Sequence, residues 1–137
     1  MRIMYAALAG SIFLVLFGCK KNVEVRNSSS VSWKNCSQIE NKTDDVKVCL
    51  DSLIEDSRCP LGVICVWEGT AIARFSVTVN GQQQPVTLST LNMPGYHPSD
   101  TILMGYKIEF FNLSPYPEVG KTHDILEYKA ELNIIKQ

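Results

Sequence analysis

Four stretches of the chain alternate apolar with polar residues at a period of two, the pattern of half-buried β-strands. In "VKVCLDSLI", residues 46–54, the residues Val46, Val48, Leu50 and Ser52 fall on one face. In "AIARFSVTVNGQQQPVTLST", Ala71, Ala73, Phe75, Val77 and Val79 alternate with Ile72, Arg74, Ser76 and Thr78. Asn80-Gly81 then supplies the two left-handed residues of a type I′ hairpin turn. Pro85 lies in the returning segment and has no N–H for a ladder, so that strand is expected at a sheet edge or bulged there. "GYKIEFF" sets Tyr106, Ile108 and Phe110 against Lys107 and Glu109, and "EYKAELNII" turns Tyr128, Ala130, Leu132 and Ile134 inward. The proline-bearing stretches "TLNMPGYHPSD" and "SPYPEVGK" read as loops. Beyond the N-terminal segment, no stretch sustains a 3.6-residue period. The pattern predicts an all-β domain: a small antiparallel β-sandwich, Ig-like, or a partly open barrel, with six to eight strands.

The N-terminus has a different pattern. "MRIMYAALAGSIFLVLFGCK" carries one Arg and then about 16 uncharged, mostly apolar residues, short of the roughly 20 that a spanning helix needs. A basic start, an apolar centre and a small residue at the end describe an export signal. Leu16-Phe17-Gly18-Cys19 resembles a bacterial lipobox, with Phe17 bulkier than the residue usual there. This reading makes residues 1–18 a lipoprotein signal and Cys19 the acylated residue, a thiol nucleophile behind a small residue that the peptidase accepts. Two or three acyl chains hold a protein firmly to a membrane, whereas one binds only marginally.

With Arg2 lost in the signal, the mature chain carries 12 basic and 14 acidic residues. Only Lys20-Lys21 stand together as a basic pair, beside the lipid, so clustered cations for a nucleic-acid backbone are lacking and no nucleic-acid partner is expected. Residues 19–35, polar and including Ser28-Ser29-Ser30, read as a flexible tether, and residues 36–137 as a single β domain.

Four further cysteines, Cys36, Cys49, Cys59 and Cys65, in an exported domain read as two disulfides with three possible pairings. Pro60 and Gly62 favour a tight reversal that joins Cys59 to Cys65, which leaves Cys36 for Cys49. There is no C-x-x-C pair for zinc or for a thioredoxin-like redox site, so no metal or other cofactor is expected.

"DSRCPLGVICVWEG", followed by an alternating strand, then "GYKIEFFNLSPYP" and a closing "YKAELNII" strand, resembles a group of small uncharacterised exported bacterial lipoproteins. The shared features are Asp56-Ser57-Arg58-Cys59-Pro60, the second cysteine Cys65, Trp67-x-Gly69 and the later Pro115-Tyr116-Pro117. The likeness covers about residues 50–135. It implies an envelope lipoprotein with a small β domain, carries over no catalytic residue, and leaves Cys36 and Cys49 as an addition to the shared pattern.

Candidate chemistry is sparse. Asp56 and Arg58 flank Ser57 ahead of the staple, where the Asp suits a loop start and the Arg is expected to pair with it or with a sheet-edge carbonyl, the alternative being a fork for a carboxylate or phosphate. Trp67 alternates with Cys65 and is expected to pack on the disulfide core, ahead of standing exposed as a stacking platform; Tyr96 and Tyr116 sit in proline-rich loops where they would cover a core edge or stack on a sugar. Asp56, Arg58, Trp67, Tyr96 and Tyr116 together make a candidate binding rim. His97 near Asp100 and His123 near Asp124 would form a metal site only if the fold brings them together. No nucleophile elbow of the G-x-S-x-G kind occurs. Asp51-Ser52-Leu53 and Asp100-Thr101-Ile102 resemble bacterial O-glycan acceptors, the second being preferred as a loop.

The expected function is therefore a monomeric, non-catalytic binding module, anchored by lipid in the bacterial envelope, for an envelope protein or glycan. A structural envelope lipoprotein ranks second and a metal-dependent hydrolase last. Lys20 after the acylated cysteine favours the outer membrane in a Gram-negative cell; in a Gram-positive one the anchor means the outer face of the plasma membrane.

Overall fold

The structure, a computed structural model, describes residues 26–92 and 95–137. The signal segment 1–18, Cys19 and the tether up to residue 25 lie outside the described residues. Among the described residues, eight strands form two four-stranded antiparallel sheets packed as a sandwich, not a closed barrel. In chain order they are β1 (Arg26–Ser32), β2 (Cys36–Ile39), β3 (Val46–Asp56), β4 (Ala71–Val79), β5 (Gln82–Ser89), β6 (Asp100–Leu103), β7 (Tyr106–Ser114) and β8 (Lys129–Lys136). One sheet runs β1-β8-β7-β6 and the other β2-β3-β4-β5.

The inward faces are those that the alternation selected. Val46, Val48, Leu50, Ala73, Phe75 and Val77 from one sheet meet Ile108, Phe110, Leu113, Ala130, Leu132 and Ile134 from the other in a single core. Phe75 and Phe110 touch across it, edge to face, with centroids 5.2 Å apart. Asn80 and Gly81 take φ of 49° and 84° and close the β4–β5 hairpin, and Pro85 sits in β5, an edge strand.

Two expectations need correcting. Residues 26–32 are strand, not tether: β1 pairs with β8 over seven residues, Arg26↔Ile135 to Ser32↔Lys129. Its serines hid it, because an edge strand buries little; Val31 and Ser29 point inward, and Ser29 Oγ donates to Ser37 Oγ on β2 at 2.6 Å. Ser52 does not continue the inward face of β3. The β3–β4 register shifts between Leu50 and Ser52, so Leu53 packs against the core instead.

The strand directions define two ends. At the near end lie Arg26, where the described domain begins, Lys136, Tyr106 and the Asn80-Gly81 turn. At the far end lie the last pairs of β3 and β4, Asp56↔Ala71, and of β7 and β8, Ser114↔Lys129.

Candidate functional site

The far end is built by the stretch between β3 and β4. Past Asp56↔Ala71 the hairpin continues: the Ser57 N–H donates to Thr70 O at 2.9 Å and the Cys59 N–H to Glu68 O at 2.8 Å. Gly69 lies inside this extension with φ +71°, and a Cβ there would stand 1.8 Å from Ser57 O, so the position admits only glycine. That accounts for the Trp67-x-Gly69 spacing. Cys59 and Cys65 are bonded, with Cα atoms 5.9 Å apart, and Gly62 turns the loop at φ +92°. Cys36 and Cys49 are bonded directly across β2 and β3. Both pairings match the sequence reading.

Arg58 pairs with Asp56 and with edge carbonyls, the first of its two expected roles, and is not a free fork. It is 7% exposed. Its Nε and Nη2 donate to Asp56 Oδ1 and Oδ2 at 2.7 and 2.8 Å, Nη2 also to Pro115 O at 3.0 Å, and Nη1 to Leu113 O. Its guanidinium lies 4.7 Å from the Tyr116 ring centroid. The cause lies in the opposite sheet. The β6–β7 ladder ends at Asp100↔Glu109, with one more bond from the Phe110 N–H to Ser99 O. The edge carbonyls further along β7 need a donor, and Arg58 supplies it, neutralised by Asp56. Leu61 extends the clasp by donating to Pro117 O at 2.8 Å and accepting from the Val119 N–H at 3.4 Å. The Asp-x-Arg motif thus ties the two sheets together, and the Pro-Tyr-Pro segment is its counterpart.

Beyond the clasp the loop is apolar and unburied. Ile64 and Val66 are 102% and 105% exposed, and Leu61, Val63, Trp67 and Val119 are also exposed. Trp67 does not pack into a disulfide core. It stands 45% exposed beside Tyr96, with ring centroids 6.5 Å apart. The expected rim therefore divides: Asp56, Arg58 and the ring face of Tyr116 form the clasp, and Trp67 with Tyr96 borders an apolar tip. Sequence reasoning missed Ile64 and Val66. The signal was present, since "VICV" sits in a loop with no strand partner. Between the clasp and the 90–92 segment lies a small cavity of about 120 Å³ bordered by Arg58, Glu68, Thr90, Phe111, Asn112 and Tyr116.

The remaining candidates do not converge. The carbonyl of His97 accepts from Ser89 Oγ at 2.6 Å. His123 Nδ1 lies 3.2 Å from Glu127 Oε2, and its Nε2 is buried without a partner among the described residues. Among the described residues, no three His, Cys, Asp or Glu side chains gather as metal ligands. Asp100-Thr101-Ile102 is strand β6 rather than loop, with Asp100 paired to Lys107 at 3.3 Å, and Asp51 accepts from Ser76 Oγ within the other sheet.

The near end holds a polar knot that nothing in the sequence announces, because its members come from distant segments. Asp44 accepts from Lys136 Nζ at 2.7 Å, Tyr106 Oη at 2.6 Å and Asn80 Nδ2 at 3.0 Å. Asn41 Nδ2 donates to Tyr106 Oη at 2.7 Å. The Lys136 hydrogen bond, followed by those from Tyr106 and Asn80, holds the Asp44 carboxyl well below the usual carboxylate range. Burial and the adjacent carboxylate push the Tyr106 phenol up to about 12.

Compared with known protein families, with curated proteins and with solved structures, the chain matches none of them.

Proposed function

We propose that this chain is a lipid-anchored bacterial envelope protein, acylated at Cys19, whose β-sandwich acts as a non-catalytic binding module through its far end. The observation that carries the reading is the apolar tip. Monomeric domains rarely leave large aliphatic side chains fully exposed on a rigid loop without a use for them. Here Ile64 and Val66 project from a segment fixed by a disulfide, a buried ion pair and a bridge to Glu118. A pre-stiffened loop loses little conformational entropy on docking, which favours affinity. Cys19 attaches seven residues before Arg26, at the end opposite the tip. The two disulfides fit an oxidising compartment outside the cytoplasm.

Two experiments test the two halves. Cells fed labelled palmitate should label the native chain, and Cys19→Ala should abolish the label and release the domain from the membrane fraction; label retained by that variant refutes the anchor. Pull-down after crosslinking on intact cells should enrich a partner that Ile64→Asp/Val66→Asp loses while keeping its thermal transition. Equal recovery by both refutes the tip as the binding face.

A further inference from the structure

Resting on the binding reading above, we infer that the tip fits a protein partner whose apolar pocket is rimmed by lysines and arginines. The knob itself is small: Ile64 and Val66 at the crest, Leu61, Val63 and Val119 on the shoulders and Trp67 beside Tyr96 at the base. Its surroundings are mainly of one sign. Segments 55–69 and 115–129, which build this end, carry Glu55, Asp56, Glu68, Glu118, Asp124 and Glu127 against Arg58, Lys121 and Lys129. Two of the three cations are already paired, Arg58 with Asp56 at 2.7 Å and Lys121 with Glu118 at 3.3 Å, which leaves Lys129 against four carboxylates. The charge left around the knob is therefore anionic.

That sign decides among the possible occupants. An anionic bilayer repels it, since headgroup attraction needs Lys or Arg beside the inserted side chains. A second copy docked tip to tip would oppose two acidic rims, and like charges across an interface cost affinity. The anchor also argues against insertion into its own membrane. Lipid at Cys19 feeds β1 at the near end, and β3 alone, at 11 residues, separates the two ends by roughly 35 Å. A protein with a cationic rim satisfies both features: its pocket buries the aliphatic crest, and its rim steers the encounter through Glu68 and its neighbours.

The test places the photocrosslinker p-benzoylphenylalanine at Ile64, and as control at exposed Gln83 on β5, in the full-length lipidated chain in intact cells. The expected result is one protein crosslinked from Ile64, at apolar residues bordered by Lys or Arg. Val66→Asp and, separately, Glu68→Lys/Glu118→Lys should each lower the yield by about tenfold or more with the thermal transition unchanged. A protein crosslink lost with Val66→Asp but untouched by the charge reversal overturns the cationic partner and leaves the binding module standing. Crosslinks to phospholipid or to a second copy overturn the inference. A yield from Ile64 no greater than from Gln83 overturns both the inference and the binding reading.

Discussion

The two ends of the sandwich solve the same problem differently. Each must close off two sheets where the ladders stop. The near end does it with exchangeable polar groups, a short turn at Asn80-Gly81 and the Asp44–Lys136–Tyr106 knot. The far end does it with a covalent staple and a buried charge, and it projects an apolar crest. Closing an end needs no exposed Ile64 or Val66; the clasp formed by Arg58 and Leu61 is sufficient. The contrast separates the part of the loop that holds the fold from the part that is free to do something else.

The sharpest way to break the comparison is Arg58→Ala. It leaves the mostly covered Asp56 without its counter-charge and takes the donor from Leu113 O and Pro115 O, so unfolding in urea should show a loss of about 3 kcal/mol. A loss under about 1 kcal/mol, the range of an exposed pair, would mean that the clasp is not what joins the sheets there. Next come the disulfides. Loop entropy assigns about 3 kcal/mol to Cys36–Cys49, spanning 13 positions, and about 2 kcal/mol to Cys59–Cys65, spanning 6. Paired Cys→Ala variants should rank in that order in denaturant midpoint, and only the second should alter tip crosslinking.

The near end is probed by pH. The folded pKa of Asp44 is depressed, so its contribution is present above the ordinary carboxylate value and is lost as pH falls below it towards the folded value. Asp44→Asn should flatten the stability curve below about pH 4. Tyr106 is raised instead, so its contribution is whole below about pH 10 and declines as pH rises from there towards about 12; Tyr106→Phe should remove that alkaline limb. An unchanged acid limb in Asp44→Asn would show that the knot is not formed in solution. The smallest expected effect sharpens the contrast most: Ile64→Asp/Val66→Asp should leave stability within about 0.5 kcal/mol of the native chain, because neither side chain is buried. A larger loss would mean that the crest belongs to the fold after all.

Local pattern carried far in this sequence. Period-two alternation located β4, β7, β8 and the first half of β3, and Asn80-Gly81 marked its hairpin, because those signals depend on neighbours in the chain. Cysteine spacing and a Pro-Gly turn were enough to pair the disulfides. What failed depended on partners far away. β1 is strand because β8 offers a ladder, not because serines prefer one. The bulge after Leu50 reversed which side chain faced inward, and no residue there marks it. That Arg58 pairs with Asp56 or an edge carbonyl was legible from their spacing, but not which carbonyls it meets, since those lie more than 50 positions downstream. The crest at Ile64 and Val66, on either side of Cys65, drew no reading, since a short apolar run at a disulfide does not by itself say which side faces solvent.

The placement of β1 has a mechanical consequence. Under the proposed function, with lipid before Arg26 and a partner at the far end, tension between the two would run parallel to the strands. Such a pull would load the seven pairs between β1 and β8 together, in shear, instead of peeling them one after another. The strand disguised as a tether would then be the element through which the domain bears load.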